Sequence, residues 1–100
     1  MKIYFHPAAS QELDEAALWY EDRSLQAGSW FVDEVHGAVE AIRTDPGRYQ
    51  RAIGEIRVFR LKRFPYRLYF AFDADKQRIT IYALMHEKRH PGYWHDRLVS

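Results

Sequence analysis

The segment "MHEKRHPGYWHDR", residues 85–97, gathers three histidines, three fixed cations and an adjacent Tyr93–Trp94 pair around a Pro-Gly step. A second cluster precedes it: Arg51, Arg57, Arg60, Lys62, Arg63 and Arg67 stand close together in the chain. Histidine exchanges protons near neutral pH, arginine and lysine hold phosphate or carboxylate oxygens, and aromatic rings stack on bases. Such a set could run phosphodiester cleavage. A 2′-hydroxyl would attack the neighbouring phosphorus while one group accepts its proton, another protonates the leaving oxygen, and cations steady the charge. A metal site would instead need His86, His90 and His95 to converge. Pro91 works against helix at residue 90, cysteine is absent, and Glu87 and Asp96 lack a zinc-binding spacing, so neither metal nor cofactor is expected. The plainer role is structural. There the Pro91-Gly92 step turns the chain, Trp94 clamps the tail, Arg97 reaches a carboxylate or carbonyl, and His86 bonds backbone at a strand end.

These residues must be positioned by regular elements. "KIYF" is a short apolar strand that stops at Pro7, and proline suits the first turn of a helix. Ala9, Leu13, Ala16, Ala17 and Tyr20 then recur at helical spacing, which predicts a helix over 7–24 with its early carboxylates favouring the N-terminus. "LQAGS" is expected to break it. Phe31, Val35, Ala38, Val39 and Ile42 form a second stripe ending at "DPG", residues 45–47. Gly37 inside that helix costs about 1 kcal/mol against alanine, which suggests close approach to the first helix, and Trp30 reads as an anchor of the hairpin.

The period then changes. "EIRVFRLK", "YRLYFAFD" and "RITIYALMH" are β-branched and aromatic, with "RFP" and "DADKQ" as turns. Strict alternation in the third puts His86 with Thr80, Tyr82 and Leu84, on the same open face as Arg67. The reading is an α+β fold of order β-α-α-β-β-β: one N-terminal strand, an antiparallel helical hairpin over 7–45, and a three-stranded antiparallel meander. The hairpin covers one sheet face and leaves the other, basic and aromatic, uncovered.

One hundred residues without repeats or linkers make a single domain, 1–100. With 47% hydrophobic residues and 16% aromatics, the chain is not intrinsically disordered. No apolar run approaches the roughly 18 residues of a membrane span, the N-terminus turns acidic too early for a signal peptide, and the lack of cysteine suits a reducing compartment. A cytoplasmic protein with no membrane partner is expected. The net charge of +1 conceals a division: residues 1–42 carry eight acidic and two basic groups, residues 43–70 eight basic and two acidic. That total argues against a dedicated DNA-binding module, while the basic half suits an acidic partner.

"FHPAASQELDEAALWYE", "RVFRLKRFPYRLYF" and "HEKRHPGYWHDR" together resemble the RelE/ParE family of toxins from type II toxin–antitoxin operons, along essentially the whole chain, and "RFPYRLYF" with "PGYW" is most similar to the ParE-like, plasmid-stabilisation side. The resemblance implies a toxin held inactive by a cognate antitoxin through an acidic, partly disordered segment. Two targets occur in the family. The ParE-like branch inhibits DNA gyrase by protein–protein contact, and this is the expected function. The alternative is RelE-like mRNA cleavage on the ribosome, for which the resemblance implies catalytic roles for Arg67, Arg60, Arg89 and, as acid/base, His86. Val58 departs from that pattern, standing where those nucleases have a lysine. Arg57, Lys62, Arg63, Lys88, Tyr93 and Trp94 are the candidate contacts with target or antitoxin. A third reading is a non-toxic relative that only binds antitoxin.

Overall fold

A computed structural model describes residues 1–90 and 92–99. In chain order it forms β1 (Lys2–Phe5), α1 (Pro7–Arg23), α2 (Leu25–Thr44), β2 (Arg51–Ile53), β3 (Ile56–Arg60), β4 (Tyr66–Asp73) and β5 (Arg78–His86). Short 3-10 turns follow α2 at Pro46–Arg48 and close the tail at His95–Val99. The sheet runs β1-β5-β4-β3-β2, with β1 parallel to β5 and every other pairing antiparallel. The α+β class and the strand–hairpin–meander order are as expected. The meander gains one strand, β2, whose three residues are all exposed and so carry no burial pattern to read.

Pro7 opens α1, and the Nδ1 of His6 caps it by accepting the Ala8 N–H at 3.1 Å. "LQAGS" does not break the hairpin; it is the first turn of α2. The break is Ser24 alone, whose N–H ends α1 on the Tyr20 carbonyl and whose hydroxyl accepts the Ala27 N–H at 3.3 Å. So short a joint presses the helices together at once. A Cβ on Gly28 would stand 2.9 Å from the Glu21 Cβ, whereas one on Gly37 would meet nothing within 4 Å. The close approach expected at Gly37 is therefore made by Gly28. Nine residues on, about two and a half turns, Gly37 lies on the opposite side of α2. Trp30 is likewise corrected: it is half exposed, and Phe31, about 100° round the helix, is the buried anchor.

Ala9 and Ala16 of α1 and Phe31, Val35, Ala38 and Ile42 of α2 pack on Leu68, Phe70, Ile79, Ile81 and Leu84 of the sheet. The second sheet face is not left open. Ile56, Val58, Tyr69, Ala83 and Met85 form a smaller core there, closed by Trp94 from the tail. Its ring centroid lies 4.9 Å from that of Tyr69, and Trp94 is 1% exposed.

One irregularity decides what each face displays. β4 and β5 pair Tyr69 with Ala83 and then Phe70 with Ile81, so Tyr82 is an extra residue in β5, a β-bulge. A one-residue slip exchanges the faces of everything beyond it. Ile79 and Ile81 point to the helices, but past the bulge Leu84 does so while Ala83 and Met85 turn to the tail side.

Candidate functional site

The bulge moves His86. It pairs with Tyr66 and shares the helix side with it, their rings edge to face at 5.3 Å, whereas Arg67 pairs with Met85 on the tail side. The expectation that His86 lies beside Arg67 on one face is thus corrected, since strict alternation fails at Tyr82. The Nδ1 of His86 accepts the Lys88 N–H at 3.1 Å, and its carbonyl accepts the Arg89 N–H at 2.9 Å. This is the backbone role at a strand end.

His86 and Arg89 line a groove on the helix side with Trp19, Tyr20 and Tyr66. Burial raises the Tyr66 hydroxyl above its ordinary value, and burial first, then the neighbouring Tyr66, raises Tyr20. Trp19 is half exposed beneath the Arg23 guanidinium, 3.3 Å from the ring centroid. Sequence reasoning missed Trp19 because it stands one residue before Tyr20, just off the buried stripe.

Arg60 and Arg67 are direct cross-strand partners. Both line a cleft of about 510 Å³ on the tail side, with Arg51, His90, His95, Tyr69 and Trp94 also in its walls. The histidine that accompanies the two strand arginines is therefore not His86; His90 and His95, weighed only as metal ligands, take that place. Among the described residues no group of three or more metal-ligating side chains forms.

The remaining candidates divide by neighbourhood. Arg57 faces the helix side and donates to the Tyr49 carbonyl at 2.7 Å. Lys62 and Arg63 lie in the loop after β3, where their backbone N–H groups donate to one Glu34 oxygen at 2.8 and 3.0 Å. Lys88 is exposed, and Tyr93 is half exposed beneath the guanidiniums of Arg89 and Arg97, at 4.2 and 5.1 Å. Trp94 as a partner contact is corrected: its ring is spent on Tyr69. The Pro91-Gly92 turn lies partly outside the described residues, as Pro91 is not among them. Beyond it, the Tyr93 N–H reaches the His90 carbonyl at 3.2 Å.

Arg97 locks the tail. It forms a forked pair with Glu12 at 2.9 and 2.8 Å and donates to the Tyr82 carbonyl at 2.9 Å. Glu12 also accepts the Leu84 N–H at 3.1 Å. β1 pairs with β5 only as far as Ile81, so these two residues satisfy the strand edge beyond it. The hydrogen bond to Glu12 raises the Arg97 pKa, with burial opposing. Glu12 was expected to serve the helix N-terminus, yet no acidic residue lies in the first turn of α1; the carboxylate serves tertiary structure.

Comparison with known proteins agrees with the fold. A chain from a solved structure, "Chromosomal ParDE TA system from P. aeruginosa", is similar in fold, with a TM-score of 0.74 and 17% identity over 86% of this chain and 95% of that one. No curated protein matches at a significant level. Among the described residues no helix is long and apolar enough to cross a membrane. The family model described as "ParE toxin of type II toxin-antitoxin system, parDE" matches residues 3–91. This chain belongs to the ParE toxin family of type II toxin–antitoxin systems.

Proposed function

We propose that this chain is a growth-arresting toxin that inhibits DNA gyrase by protein–protein contact in the cytoplasm and is neutralised by a cognate antitoxin. The observation that carries the mechanism is the division of the cleavage set. Arg60 and Arg67 stand on the tail side, His86 on the helix side with Arg89 lining its groove. Acid/base transfer requires the exchanging group within hydrogen-bond reach of the atoms that the cations hold. His86, the acid/base group that the resemblance implies, lies on the opposite sheet face from Arg67, and the histidines that share the arginines' cleft, His90 and His95, are not part of the implied set. What the surface offers instead is contact area: Trp19, Trp30 and Tyr93 are each about half exposed, and exposed aromatics beside arginine are the usual anchors of protein interfaces. Lys62, Arg63 and Lys88 supply cationic contacts for an acidic antitoxin segment, which orders on binding.

Pulse labelling after induction without antitoxin separates the readings. Early loss of thymidine incorporation with methionine incorporation intact is expected. Early loss of methionine incorporation would overturn the gyrase reading and support mRNA cleavage. Loss of neither would leave antitoxin binding as the retained activity.

A further inference from the structure

We infer that the groove between α2 and the loop joining β3 to β4 is where a second copy of this chain docks, α2 beside α2 about a two-fold axis. This surface goes beyond the gyrase reading and does not depend on which target the toxin meets.

Three observations carry it. First, four aromatic side chains are about half exposed: Tyr4, Trp19, Trp30 and Tyr93. Three of them lie under a guanidinium of this chain: Tyr4 under Arg78 at 5.3 Å, Trp19 under Arg23 at 3.3 Å and Tyr93 under Arg89 at 4.2 Å. Trp30 has neither a cation nor a ring against it among the described residues. Second, Trp30 borders a groove of about 530 Å³ whose two walls carry opposite charge. Asp33 stands on α2 and Lys62 and Arg63 on the loop; all three are exposed, and none has an ion pair among the described residues. Glu34 accepts the backbone N–H groups of Lys62 and Arg63, which fixes the loop at the height of Glu34. Asp33, about 100° back round the helix, lies on the far side of the stripe from that loop. Third, Gly37, about two turns beyond Trp30 on the same stripe, has nothing within 4 Å of where a Cβ would stand. Another backbone can approach closely there.

The charges decide the occupant. An acidic segment laid along the groove would meet Asp33, and a basic one would meet Lys62 and Arg63. A surface with one sign on each side of a central aromatic is complementary to itself. Rotation about an axis parallel to α2 keeps every residue at its own height and exchanges the two sides. Asp33 then faces Lys62 and Arg63 of the second copy, twice over, while Trp30 meets its symmetry mate and Gly37 opposes Gly37. An axis perpendicular to α2 would set Asp33 against Asp33, which like charge disfavours. One helix flank and one loop make a small interface, of the weak and exchanging class. The antitoxin contacts proposed above draw on the same Lys62 and Arg63, so antitoxin binding and self-association compete.

The test is sedimentation of the full, antitoxin-free chain from micromolar to millimolar concentration, paired with spectra of its ¹⁵N-labelled tryptophan indoles. A monomer–dimer equilibrium is expected, in which the Trp30 indole resonance moves as dimer forms and those of Trp19 and Trp94 stay in place. Asp33→Arg should weaken dimerisation about tenfold, since the two-fold repeats each modest surface pair. Lys62→Glu and Arg63→Glu added to that variant should restore it. All three side chains are exposed, so the variants keep the fold. A chain monomeric throughout, a dimer that leaves the Trp30 indole unmoved, a dimer indifferent to Asp33→Arg, or no restoration by the reversed charges would each overturn the proposal.

Discussion

Single side chains here hold two separate chemistries on two sides of one sheet. On the helix side, Tyr20 and Tyr66 are kept neutral by burial, so the native hydroxyls ionise above the ordinary value of 10.0 that they regain on unfolding. In that window the unfolded chain has lost protons that the native one retains. Stability is therefore complete below about pH 10 and falls as pH rises from there toward the raised native values. Urea midpoints measured from pH 9 to 11 should drop, and Tyr66→Phe should flatten the drop; an equal slope in the variant would contradict the burial account. Much of this was legible by residue type. That histidine, arginine and aromatic groups cluster near residues 60–67 and 86–94 is plain from the sequence. Which histidine meets which arginine is not, because one extra residue at Tyr82 reverses the faces.

The elements were legible where period and burial agree. Both helices and β3 to β5 fall where helical spacing and runs of β-branched and aromatic residues put them, although β4 and β5 bury residues on both faces and the bulge at Tyr82 interrupts the alternation of β5. Boundaries governed by single hydrogen bonds were not. Ser24 ends one helix and starts the next, so a glycine-containing stretch that looks like a breaker becomes a helical turn. The two glycines of α2 give a direct check. Gly28→Ala forces a Cβ against the Glu21 Cβ and backbone and should cost on the order of 1–3 kcal/mol. Gly37→Ala enters open space and should gain up to about 1 kcal/mol of helix propensity. Thermal midpoints of the two variants, compared with the parent chain, should move in opposite directions; a loss at both positions would refute the crossing geometry.

For the molecule as a whole, the tail determines which sheet face solvent meets. The helical hairpin covers one face, and Trp94, held by the Arg97–Glu12 fork, covers the centre of the other. Trp94→Ala should therefore cost about 3–5 kcal/mol, read as a lowered denaturation midpoint, and should uncover Tyr69. If the variant kept the parent's stability, the tail would be an appendage rather than the lid of a second core. The same lid forms a wall of the tail-side cleft, so the segment that closes the fold also shapes the recess that holds Arg60 and Arg67.

Composition, charge division and period were enough to establish an α+β domain, its hairpin and its meander, because burial of one face per element is written locally in residue spacing. The motifs "RFPYRLYF" and "PGYW" were likewise enough to point to the family. The grouping of Arg60 and Arg67 with His90 and His95, the exile of His86 to the helix side, and the closing of the second face by Trp94 required the folded chain. They depend on a bulge, a truncated β1 and an 85-residue bridge from Arg97 to Glu12, none of which leaves a periodic mark in the chain.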